Sequence, residues 1–155
     1  MNNEPYGTTV FCDDIRHEIN GKLTLVGCYS GEMNFNGPPP GLLPSFGALV
    51  NIRVPVTMPF KVIKLRVLKE EGQEVSEILA AEVKAEEARI DDVNDAPKRE
   101  ELEQKVISLT FPCQWSPLSM NSAGFIKVRA YLDGDREIRL GALKVNFVSD
   151  ASSKE

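Results

Sequence analysis

Apolar and polar residues alternate with a period of two along most of this chain, and that alternation limits the fold more than any single motif. In "ALVNIRVPV", Ala48, Val50, Ile52, Val54 and Val56 fall on one face, with Leu49, Asn51, Arg53 and Pro55 on the other. A half-buried strand needs this pattern, because successive side chains point to opposite faces of a sheet. Pro55 cannot donate to a ladder, so this strand is an edge or ends near that residue. Ile63, Leu65 and Val67 alternate with Lys64 and Arg66, and Ile107, Leu109 and Phe111 with Ser108 and Thr110. Ile126, Val128, Ala130 and Leu132 alternate with Lys127, Arg129 and Tyr131. Ile138 and Leu140 are followed by Leu143, Val145 and Phe147, a one-residue slip of phase at Gly141–Ala142 that predicts a bulge.

The turn residues fall between these runs. Asn20-Gly21 and Asp133-Gly134 are hairpin dipeptides, since both central residues of a type I′ turn take positive φ. Gly72 closes Val67–Glu71 before a weaker strand at Glu74–Leu79. Seven or eight strands without intervening crossover helices predict an all-β chain, a two-sheet antiparallel sandwich folded as a single domain over 1–155.

Two segments break the alternation. "NGPPPGLLP", Asn36 to Pro44, reads as a stiff surface crossover. The stretch from Glu82 to Glu103 holds nine acids and four bases. It reads as a charged, helical or partly mobile insertion near 82–105, with Asp95 as N-cap and Pro97 in the first turn. A flexible tail is expected from about 149.

A chain of 155 residues buries enough surface to fold without disulfide or metal. Its net charge of -5, with no run of basic residues longer than two, argues against nucleic acid as the main partner. No apolar run approaches the ~18 residues of a membrane span, and the first residues do not read as a secretory signal, so no membrane association and a cytoplasmic location are expected. Cys12, Cys28 and Cys113 are odd in number and are expected to be reduced and mostly buried.

The densest chemistry is "CDDIRHE", Cys12 to Glu18, with a thiol, three carboxylates, a guanidinium and the chain's one histidine. Asp13, Asp14, Arg16, His17 and Glu18 are read as a structural or interaction corner, in which one carboxylate meets Arg16 or caps a turn and His17 stays exposed. The alternative is a metal-dependent enzyme or metal-stabilised domain that uses Asp13, Asp14, His17 and Glu18. A single histidine, five residues from Cys12, is a poor base for a nucleophile, and no catalytic residue, metal or cofactor is assigned. Phe125, Lys127, Arg129 and Tyr131, on the polar face of one strand, suit an interface with a protein partner or a second copy of the chain. Trp115 is a further interface candidate, or the anchor of a carbohydrate or small-ligand site with Tyr29 or Tyr131.

Two stretches, "VFCDDIRHEINGKLTLVGCYSGEM" and "GFIKVRAYLDGDREIRLGALKV", resemble a family of small bacterial proteins of unknown function. Its members share a "CDD-R-E" corner, an "NGK" hairpin and a closing "R-Y-DG-E---LG-L-V" hairpin. The resemblance implies an immunoglobulin-like sandwich and a bacterial cytoplasmic setting, and it implies no catalytic residue.

Overall fold

The computed structural model describes residues 4–85 and 105–149. Among these residues the chain is all-β. The strands are β1 (Tyr6–His17), β2 (Leu23–Cys28), β3 (Glu32–Asn36), β4 (Gly41–Leu43), β5 (Phe46–Pro55) and β6 (Val62–Glu71). They continue as β7 (Glu74–Lys84), β8 (Val106–Trp115), β9 (Leu118–Met120), β10 (Gly124–Leu132) and β11 (Arg136–Val148). One sheet has the order β2-β1-β5-β8 and a second the order β3-β11-β10-β6-β7, while β4 and β9 pair by themselves.

The alternation predicted from sequence is what builds the core. Ala48, Val50, Ile52 and Val54 of β5 pack in one buried cluster with Ile63, Leu65 and Val67 of β6 and with Ile126, Val128 and Ala130 of β10. Leu140, Leu143 and Val145 of β11 join them. The cluster draws on both large sheets, so each sheet turns its apolar face to the same interior. Each aliphatic side chain fully buried there contributes about 1.5–3 kcal/mol.

The phase slip in β11 is real and has a visible cause. Val128 faces Gly141, but Arg129 faces Arg139, so Leu140 has no partner on β10. The extra residue lets Leu140 and Leu143 both turn inward, three positions apart. Gly141 takes φ 144 at this point, a value few side chains tolerate. Asn20 and Gly21 take φ 65 and 72, and Asp133 and Gly134 take φ 50 and 80, as the hairpin dipeptides predict.

Several expectations need correction. There are eleven strands among the described residues, not seven or eight. The additional ones, β3, β4 and β9, span only three to five residues each, too short for the period to stand out. β4 falls inside the proline-rich segment, directly after the triplet Pro38–Pro40. The sheets are not purely antiparallel, since β3 runs parallel to β11. Of the two readings of Pro55, the strand end holds and the edge does not: β5 lies between β1 and β8 and ends at Pro55. The weaker strand after Gly72 is one of the longest, and its last residues, 82–84, take the start of the expected insertion. The rest of that segment from 86 to 104, with its expected helix and mobility, lies outside the described residues, as does the tail beyond 149.

Candidate functional site

The "CDDIRHE" stretch is no corner. Cys12 to His17 lie within β1, and Glu18 opens the connection to β2. Neighbouring positions on a strand diverge, and the two aspartates part accordingly. Asp13 accepts a hydrogen bond from the Tyr29 hydroxyl. Burial, then this bond to a carboxylate, raises the Tyr29 pKa well above the ordinary phenol value. Asp14 accepts a hydrogen bond from the Gln114 amide at 2.7 Å and lies 3.7 Å from the Arg16 guanidinium. The pairing expected for Arg16 is therefore present, and Asp14 is its partner.

His17 and Glu18 are exposed, and their side chains make no hydrogen bond or ion pair with a described residue. Among the described residues, no three His, Cys, Asp or Glu side chains are grouped so as to hold a metal. The four residues of the metal alternative are thus not brought together.

Trp115 is used internally. Its ring tilts against Phe46 at 5.8 Å, and its indole N–H donates to the carbonyl of Ile78 at 3.1 Å. That bond ties β8, on the edge of one sheet, to β7, on the edge of the other. Tyr29 also packs on Phe46, at 6.2 Å, and Phe11 stacks on it at 6.0 Å. Trp115 and Tyr29 are brought together, but around a fully buried phenylalanine. Tyr131 belongs to the outer face of the other sheet.

The outer face of the five-stranded sheet holds the remaining candidates. Phe125, Lys127, Arg129 and Tyr131 follow one another along β10, which lies between β6 and β11. Phe125 is 39% exposed, and the Lys127 ammonium lies 5.6 Å from the centre of its ring. Lys127 also donates to Glu70 at 2.9 Å. Next along the face is a row that sequence reasoning missed. Arg129 stands opposite Arg66 of β6 on one side and Arg139 of β11 on the other. Three guanidiniums side by side repel one another, a destabilising arrangement for cross-strand neighbours.

The row is only partly neutralised. Arg66 pairs with Glu77 of β7. Glu137 is shared by Arg129 at 3.4 Å and Arg139 at 3.6 Å. Arg129 also donates to the carbonyls of Val128 at 2.9 Å and Gly141 at 3.4 Å, the second of these at the bulge. Arg66 reaches over the Tyr131 ring at 6.0 Å. Beside it, Lys64, Arg66, Tyr131 and Gly134 line a shallow depression of about 290 Å³. The Lys64 side chain makes no hydrogen bond or ion pair with a described residue. The signal for this row was present in "KLRVL" and "EIRLG", where Arg66 and Arg139 occupy polar positions of their strands. What sequence alone lacked was the register that aligns them.

Compared with protein-family models, curated proteins and solved structures, the chain matches none. No helix among the described residues is long and apolar enough to cross a membrane.

Proposed function

We propose that this chain is an immunoglobulin-like sandwich serving as a non-enzymatic interaction module of a bacterial cytoplasm, binding another protein or its own copy through the outer face of β10. The sandwich reading is supported by two large sheets that share one core. The bacterial setting rests on the resemblance of the two terminal stretches to a family of small bacterial proteins. The observation that carries the function is the composition of the β10 face. An exposed phenylalanine, a tyrosine and two cations stand in line on an inner strand, where solvation alone would be served by small polar residues. Aromatic residues and arginine are the types enriched at protein interfaces.

Site-specific photo-crosslinking in cells tests this. A photoreactive phenylalanine analogue is placed at Phe125, and in a second protein at Thr8, an exposed residue of β1 on the other sheet. A discrete crosslinked product, to another protein or to a second copy, is expected from Phe125 and not from Thr8. Equal products from both positions, or none from Phe125, overturn the reading.

A further inference from the structure

We infer that the Lys64–Arg66–Tyr131 depression and the adjoining Arg139 form a binding site for an acidic segment of a partner protein, held extended with a carboxylate at every second residue. The inference rests on the proposed interaction face and names the chemistry of its partner.

Charge is the first ground. The chain as a whole carries -5, yet Lys64, Arg66, Arg129 and Arg139 gather on adjacent strands of one face. The cross-strand row of Arg66, Arg129 and Arg139 opposes folding through mutual repulsion, so an anion supplied from outside relieves a cost already present in the free protein. The acids around it do not saturate it: Glu77 and Glu137 pair with arginines, and Glu82 of β7, opposite Lys64 in register, makes no ion pair with it. Glu137 is divided between two arginines, Arg139 keeps a side chain 82% exposed, and the Lys64 side chain makes no hydrogen bond or ion pair with a described residue.

Geometry is the second ground. Lys64 and Arg66 are two residues apart on β6, on the same face, so their backbone positions are separated by roughly 6.8 Å. The carboxylates of an extended peptide repeat at that same spacing when acids occupy alternate positions. Tyr131, opposite Lys64 in register, lines the same depression and offers an aromatic edge beside the Arg66 guanidinium, against which an aliphatic stem can lie. The guanidinium fork matches a carboxylate, and the arginines of the face already meet two of its own, Glu77 and Glu137, each through a single nitrogen. A carboxylate-bearing protein segment suits this face better than a nucleic acid, whose closely spaced phosphates would also meet the net negative charge of the rest of the chain.

Fluorescence anisotropy with the full chain provides the test. The probe is a labelled peptide of about eight residues alternating Glu and Ser, with carboxylates every ~6.8 Å when extended. Its controls are the same peptide with Lys in place of Glu, and a short DNA duplex. Saturable binding of the Glu–Ser peptide is expected, weakening as salt is raised from about 0.05 M to about 0.5 M. The double variant Lys64→Glu/Arg139→Glu, changed at two outer-face positions and checked by thermal melting, is expected to bind at least about tenfold more weakly. The charge-conserving Lys64→Arg/Arg139→Lys variant is expected to retain binding. Overturning results are absence of binding to the wild type, equal binding to wild type and double variant, or stronger binding of the duplex or the Lys peptide. Crosslinking at Phe125 reads the interaction face without reference to charge. A crosslink there with no peptide binding would remove the acidic segment and leave the interaction module standing.

Discussion

Two strands, β1 through Cys12–His17 and β10 through Phe125–Tyr131, each carry a run of polar residues and deploy it in opposite ways. On β1 the charges are consecutive, so they scatter. Asp13 goes to Tyr29, while Asp14 goes to Gln114 and Arg16. On β10 the charges alternate with Ile126, Val128 and Ala130, so they align on one face and the apolar residues on the other. Density along a sequence therefore says little about convergence in a sheet. Period decides it, because only every second residue shares a face.

Fully buried residues behind the two strands should give the largest effects. Ile126 is fully buried in the common cluster, and Ile126→Ala should cost about 2–5 kcal/mol in urea denaturation. Phe46→Ala, beneath the Tyr29–Asp13 pair, should cost about 3–5 kcal/mol through the loss of its ring contacts with Phe11, Tyr29 and Trp115. If Phe46→Ala costs under about 1 kcal/mol, the aromatic group does not anchor the β1 region and the contrast between the strands has been misplaced.

The two arginines sharpen the contrast directly. Arg129 has a side chain only 13% exposed and donates to two backbone carbonyls as well as meeting Glu137. Arg129→Ala should cost about 1–3 kcal/mol, because it strips partners from covered acceptors. Arg16 is 64% exposed and meets Asp14 alone, so Arg16→Ala should cost under about 1 kcal/mol. Equal losses in chemical denaturation would mean that repulsion from Arg66 and Arg139 cancels what Arg129 gains from its two carbonyls and Glu137.

Much of this fold was legible because the alternation fixes which residues face inward, and Val50, Ile52, Leu65 and Val128 sit where it puts them. Short strands such as β4 were not legible, since three residues after a proline triplet carry no period. The ion pair of Asp14 with Arg16 was readable from two positions on one strand. The arginine row was not, because the partners of Arg129 come from β6 and β11 and are set by pairing register. That register depends in part on the unpaired residue at Leu140, which moves Arg139 into line.

A smaller effect should appear in acid at the far end of β10. The Asp133 carboxylate accepts hydrogen bonds from the backbone N–H groups of Lys61 at 2.8 Å and Val62 at 2.9 Å. Those bonds, Val62 first, hold its pKa below the ordinary aspartate value. A depressed folded-state pKa stabilises the protein above the unfolded value of about 3.9, and that contribution is lost as pH falls through the folded one. Asp133→Asn has no charge to lose, so its melting temperature should fall less steeply than that of the wild type below about pH 4. Parallel acid limbs would show that the carboxylate's charge does not matter to this junction.

The smallest effect on stability, and the clearest difference in reactivity, concerns the thiols. Cys12 and Cys28 stand directly opposite each other on β1 and β2, yet Cys12 is buried and Cys28 exposed. All three cysteines were expected to be mostly buried; Cys28 departs from this because β2 is an edge strand whose residues are largely open to solvent. Burial pushes the Cys113 thiol up to about 11. It also raises Cys12, helped by the neighbouring Cys28, Asp13 and Asp14 and opposed by a backbone hydrogen bond. The thiolate is the reacting species, so a raised pKa and burial slow Cys12 and Cys113 together. Under native conditions near pH 7.5, iodoacetamide followed by peptide mass spectrometry should modify Cys28 first. Cys12 and Cys113 should be modified only after denaturation. Cys28→Ser should change stability by no more than about 0.5 kcal/mol and abolish the fast phase. A fast phase that survives in Cys28→Ser would place a second thiol at the surface, and the buried side of β1 would then have to be redrawn.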